Sequence, residues 1–185
     1  GRDELDICAD ASIAAALEAY RPWAIVNRAG FVRVADAERE RDACLRANAE
    51  GAEKLARACA AAGIPLVTFS SDLVFDGQLG RPYLETDPVR PANVYGLSKA
   101  RAEDAVLGLA EQALVIGTSA FFGPWDKYNF AWQTLSALAR GEPVRAGRNT
   151  SVSPTYVPDL CHAALDLLID GETGIWHLAN QGKLS

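Results

Sequence analysis

The chain has 185 residues, 49% of them hydrophobic, and 24 acidic against 18 basic side chains leave a net charge of −6. That is enough apolar material for one domain core, yet no apolar run is long enough to span a bilayer. The acidic balance, with Arg39, Arg41 and Arg46 offset by Glu38, Glu40 and Asp42, argues against nucleic acid as the main partner, because phosphate binding needs clustered Lys and Arg.

In chain order, Asp10 is placed to cap a helix over about residues 11–20, which Pro22 ends before a strand over 23–27. An alanine-rich stretch from about 36 to 62 predicts one long helix with Gly51 as its irregularity. The apolar run 65–70 predicts a buried parallel strand whose carboxyl end opens into a crevice. Asp76-Gly77 marks a turn, and Pro88 and Pro91 keep the next stretch extended up to a helix carrying Tyr95. A strand over 113–118, helices over 129–140 and 157–169, and a last strand over 175–179 complete the alternation. The pattern is α/β with a doubly wound parallel sheet in a single domain, without repeats or a low-complexity linker.

Ser71 precedes Tyr95 by 24 residues, and Tyr95 stands four before Lys99. On a helix that spacing puts phenol and ammonium on one face, one turn apart. A phenol carries protons poorly at neutral pH, and a neighbouring ammonium brings its pKa toward the working range. Ser71 would supply a second hydrogen bond to an oxygen on which charge develops. The bland reading of Tyr95 and Lys99 is a surface helix with the ring packed and the ammonium solvated. Asn48 is placed to bond backbone groups of the neighbouring strands, and Trp125 and Tyr128 either stack on a ligand or pack their loop onto the domain.

Cys8, Cys44, Cys59 and Cys161 show no metal-ligand spacing, and His162 and His177 sit in apolar or helical contexts. Reduced thiols in a cytoplasmic protein and no metal site are expected. No Gly-x-Ser-x-Gly elbow supports a serine hydrolase.

The run Ser70-Ser71-Asp72-Leu73-Val74-Phe75-Asp76-Gly77 is similar to a Ser-Thr-Asp-Tyr-Val-Phe-Asp-Gly motif, and it continues through Pro82-Tyr83-Leu84-Glu85, Pro91 to Lys99, and Glu103. Asp6-Ile7, Ala24 to Asn27, Asn48, Asn129-Phe130 and Pro154-Thr155 extend the likeness over nearly the whole chain. On these residues the chain resembles the dTDP-4-dehydrorhamnose reductase family of extended short-chain dehydrogenases/reductases. The resemblance implies a Rossmann-like fold and NADP or NAD as cofactor. It also implies reduction of a nucleotide-linked 4-keto sugar, with Tyr95 as proton donor and Lys99 on the nicotinamide ribose. Asp6, Ile7, Asn27 and the turn Ala29-Gly30-Phe31 would line the cofactor; Ser71, Asp72, Ala120, Asn129 and Pro154 would face the sugar nucleotide. Asp6 can equally be a helix-entry acid, and Asn27 can simply satisfy groups at a strand end.

The chain departs from that family in three places. The Gly-rich strand-turn-helix that receives the pyrophosphate is not in the sequence, and the resemblance implies a further region after residue 185, so a domain truncated at both ends is expected, with part of the substrate region within about 120–185. Ala120 stands where the family has an aromatic residue, and Arg28 where it has a small one. These departures motivate a rival reading, a ligand-binding or regulatory module without turnover; an epimerase or dehydratase of the same superfamily is a further alternative. A second copy of the chain or a fused domain is left open as a partner.

Overall fold

The computed structural model describes residues 5–124, 126–127, 129–145 and 150–184. Helix α1 (Asp10–Tyr20) leads into strand β1 (Ile25–Asn27), then α2 (Arg41–Leu45), a π-helical turn (Arg46–Glu50) and α3 (Gly51–Ala62). Next come β2 (Leu66–Phe69), α4 (Val94–Leu109), β3 (Ala113–Gly117), β4 (Phe121–Phe122), α5 (Phe130–Ala139), β5 (Thr155–Tyr156), α6 (Val157–Ile169) and β6 (Gly174–His177).

Among the described residues four strands form one sheet in the order β1-β2-β3-β6, every pair parallel, with Val26 opposite Val67, Val67 opposite Leu114, and Leu114 opposite Gly174. All five residues of β3 are buried, as its continuous apolar run requires of a strand covered on both faces. Alternation along the strands sends Leu66 and Val115 into a core with Ile13 of α1, Leu55 of α3 and Val106 of α4. It sends Val67, Leu114 and Ile116 to the opposite face, against Leu160, Ala164 and Leu168 of α6. The result is a helix–sheet–helix sandwich of the Rossmann type. Among the described residues β1 is an outer strand of the sheet, and its Val26 is 45% exposed.

Several details differ from the sequence expectation. Asp10 is the first residue of α1 rather than its cap. Ala9 occupies the cap without a side-chain bond, and the turn before it is built by Asp6, whose Oδ1 accepts from Cys8 N at 2.9 Å. Asp10 instead pairs with Lys54 at 2.6 Å. The long helix expected over 36–62 is interrupted: a 3-10 turn at Val34–Asp36 precedes α2, and the irregularity is the π-helical turn immediately before Gly51. Gly51 is demanded by packing, since a Cβ there would lie 2.9 Å from the Ile7 side chain. The two-residue strands β4 and β5, which pair in parallel as a separate ribbon, carry no period a sequence could show. Among the described residues no helix is long and apolar enough to cross a membrane.

Candidate active site

β2 ends at Phe69, and the chain turns at once through Ser71 into a 3-10 turn, Asp72–Val74, at the carboxyl edge of the sheet. There Ser71, Asp72, Tyr95, Ser119, Ala120 and Phe121 share one cleft of about 220 Å³, the position where open parallel sheets take ligands. Val34 also lines it, contributed by a turn that gave no functional signal in the sequence.

Tyr95 is aimed by the start of α4. Asn93 caps that helix, its Oδ1 accepting from Gly96 N at 2.7 Å, and Glu38 Oε1 accepts from Val94 N at 2.8 Å. Loss of such a cap costs about 1 kcal/mol. Gly96 lets the first turn of α4 lie directly on the 72–74 turn: a Cβ at this position would stand 2.0 Å from Leu73 O. A glycine inside a helix immediately after a candidate catalytic tyrosine was the sequence signal for this close approach.

Lys99 follows one turn later. Its Nζ donates to Phe69 O at 3.0 Å and sits 5.9 Å from the Tyr95 ring centroid. Burial pushes the Lys99 ammonium down from its ordinary 10.5, with Cys44 and Glu103 opposing. Burial pushes the Tyr95 phenol up to about 12, with Cys44 and Asp72 adding to the rise. This corrects the expectation that Lys99 brings the phenol down: the ammonium is turned to the Phe69 carbonyl, and loss of water around the ring prevails. Glu103, buried one further turn along, is likewise raised by burial.

The Ser71 hydroxyl donates to Asp72 Oδ1 at 3.1 Å and accepts from Leu73 N at 3.2 Å, so it caps the 3-10 turn. Burial raises the Asp72 carboxyl, and the Ser71 hydrogen bond opposes the shift. Ala120 has φ of 45°, a left-handed backbone that is uncommon for alanine, and its carbonyl accepts from Thr155 N at 3.1 Å, tying β4 to β5.

The remaining candidates separate into two groups. Asn27, at the end of β1, donates to Thr68 Oγ1 at 3.3 Å and accepts from Ala29 N at 3.0 Å, so it shapes the turn 29–31. Asn48, in the π-helical turn, accepts from Phe31 N at 2.7 Å and donates to Phe31 O at 3.2 Å. Gly30 is obligatory beside it, because a Cβ would meet Asn48 Oδ1 at 2.6 Å; the same point is 4.0 Å from Lys99 Nζ. The turn 29–31 therefore lies next to the lysine. Asp6 is engaged in the turn before α1, and Ile7 is packed in the core. Asn129 caps α5 by accepting from Trp132 N at 2.8 Å, while Pro154 O accepts from Asn180 N at 3.1 Å; neither residue lines the cleft. Arg28 is exposed in the loop after β1, and Trp125 and Tyr128, offered as stacking or loop-packing residues, lie outside the described residues.

The opposite shifts of Tyr95 and Lys99 set the order in which they lose their protons: the phenol stays protonated up to about 12, while burial brings the ammonium below its ordinary 10.5. Any activity that needs both groups should therefore show an alkaline limb in kcat/KM that begins below 10.5. A pH–rate profile checks this; a limb near 12 would assign the loss to Tyr95.

A family model described as the RmlD substrate binding domain matches residues 1–185. The chain is 34% identical to a dTDP-4-dehydrorhamnose reductase of Streptomyces griseus over 98% of its own length and 62% of that protein. It is 38% identical to one from Mycobacterium tuberculosis over 87% of its own length and 55% of that protein. A crystal structure of the Bacillus anthracis dTDP-4-dehydrorhamnose reductase in complex with NADP superposes on all of the chain with a TM-score of 0.94 at 31% identity, using 65% of that molecule. The chain thus spans between 55% and 62% of the length of these two curated relatives. The fold extends further, to a Thermus thermophilus UDP-glucose 4-epimerase with a TM-score of 0.84 at 20% identity.

Proposed function

Because the chain belongs, over residues 1–185, to the family described as the RmlD substrate binding domain, we propose that it carries the proton-transfer site of an NAD(P)H-dependent reductase acting on a nucleotide-linked 4-keto sugar of the dTDP-4-dehydrorhamnose type. The observation that carries this reading is the convergence of Tyr95, Ser71 and Asp72 on one cleft beside Lys99, at the carboxyl ends of parallel strands.

The residues present suit the nicotinamide end of a dinucleotide. Lys99 Nζ is largely withdrawn from water, spends one donor on Phe69 O, and faces the turn 29–31, so its other donors suit ribose hydroxyls. When bound, the reduced nicotinamide supplies hydride to the carbonyl carbon. Tyr95 transfers its hydroxyl proton to the carbonyl oxygen and is reprotonated from solvent. Ser71 hydrogen-bonds that oxygen as charge develops, after exchanging its present donation to Asp72. Asp72 then accepts from a substrate hydroxyl. The four cysteines are free thiols, which supports a reducing, cytoplasmic setting.

The test is spectrophotometric: the complete polypeptide that contains these residues should consume one NADPH or NADH per dTDP-4-dehydrorhamnose converted. Turnover without net cofactor oxidation would point to an epimerase or dehydratase, and cofactor binding without turnover to a ligand-binding module.

A further inference from the structure

The geometry points to Ser98 as a positioning residue that locks the turn 29–31 to the turn of α4 carrying Tyr95 and Lys99. The inference rests on the reading of these residues as a nicotinamide site, and goes beyond it by assigning a role to a side chain that touches neither cofactor nor substrate.

Ser98 is fully buried, yet it lies on the helix face that meets three other polar groups. Its hydroxyl donates to Tyr95 O at 2.6 Å and accepts from Asn48 Nδ2 at 2.9 Å, with Cys44 Sγ as a further donor at 3.4 Å. One hydrogen given and two received exhaust a hydroxyl. The same Asn48 amide holds Phe31 by both backbone groups. A continuous chain of hydrogen bonds thus runs from the Phe31 backbone through Asn48 and Ser98 to the Tyr95 carbonyl. Core serines commonly bond back to their own helix; here the second and third bonds come from α2 and the π-helical turn, which support the 29–31 turn. Removing the hydroxyl leaves the Asn48 amide with a weaker set of acceptors, so the turn loses its fixed distance from Lys99.

The experiment compares Ser98→Ala and Ser98→Thr with the unmodified protein, all as the complete polypeptide. Hydrogen exchange of the Phe31 amide is followed without ligand, and NADPH affinity by fluorescence titration. Ser98→Ala should speed Phe31 exchange about tenfold and raise the NADPH Kd about tenfold, while the Val106 and Val115 amides keep their protection. Ser98→Thr, which retains the hydroxyl, should restore both. Unchanged Phe31 exchange, or faster exchange spread equally over Val106 and Val115, would overturn the inference and leave Ser98 a packing residue; so would a threonine variant that behaves like alanine. If the unmodified protein binds neither NADPH nor NADH, the nicotinamide reading fails, and Phe31 exchange alone still decides whether Ser98 couples turn to helix.

Discussion

Replacing Tyr95 by Phe should lower the rate of carbonyl reduction by about three orders of magnitude, the middle of the range associated with a positioned general acid, while leaving NADPH affinity within about twofold. The separation follows from the way Lys99 is held. Its ammonium is anchored on Phe69 O at 3.0 Å, and the Tyr95 ring centroid is 5.9 Å away, so loss of the phenolic oxygen does not release it. The ring also keeps its packing against Ala37, Cys44 and Val94. Single-turnover rates at saturating cofactor, together with a binding titration, separate the two effects. A Phe variant retaining more than a tenth of the rate would place the acid elsewhere.

Replacing Gly96 by Ala should destabilise the fold by about 3 kcal/mol, the severe end of overpacking, and lower the reduction rate about 100-fold through misplacement of Tyr95. The added Cβ would stand 2.0 Å from Leu73 O and 2.8 Å from Leu73 C, both backbone atoms that cannot rotate away. Relief requires α4 to lift from the 72–74 turn, which widens the gap between Tyr95 and Ser71. Gly108 supplies the control on the same helix. Nothing lies within 4 Å of a Cβ there, so Gly108→Ala should stabilise by roughly 1 kcal/mol from helix propensity alone. Denaturant melts of the two variants should therefore move in opposite directions, and equal shifts would refute the close-approach argument.

Much of this arrangement is legible in the sequence because it is written in periods and spacings. The run at β3 is apolar without interruption, as a strand covered on both faces must be, β2 breaks the same pattern only at Thr68, and the four-residue step from Tyr95 to Lys99 fixes a shared helix face. What the sequence does not show depends on atoms meeting across the chain. The direction of the Tyr95 shift depends on how deeply the ring is enclosed and on which oxygen Lys99 chooses, and neither has a local signature. β4 and β5 consist of two residues each and exist only because Phe121–Phe122 lies alongside Thr155–Tyr156. Asp10 has the composition of a cap, but Asp6 already organises the entry to α1. Asn129 and Pro154 match a motif, and in the fold one caps a helix while the other receives a backbone hydrogen bond outside the cleft.

The π-helical turn at Arg46–Glu50 acts as a phase corrector. Buried positions run from Cys44 at the site to Cys59 in the main core. Over that distance a regular helix, turning 100° per residue, would overshoot four complete revolutions by roughly 60°. By widening a single turn, the chain lets Asn48 look toward α4 and Leu55 look toward the sheet from the same rod. A one-residue deletion anywhere between Arg46 and Glu50 would turn the Leu55 end of the rod by about 100° relative to the Cys44 end.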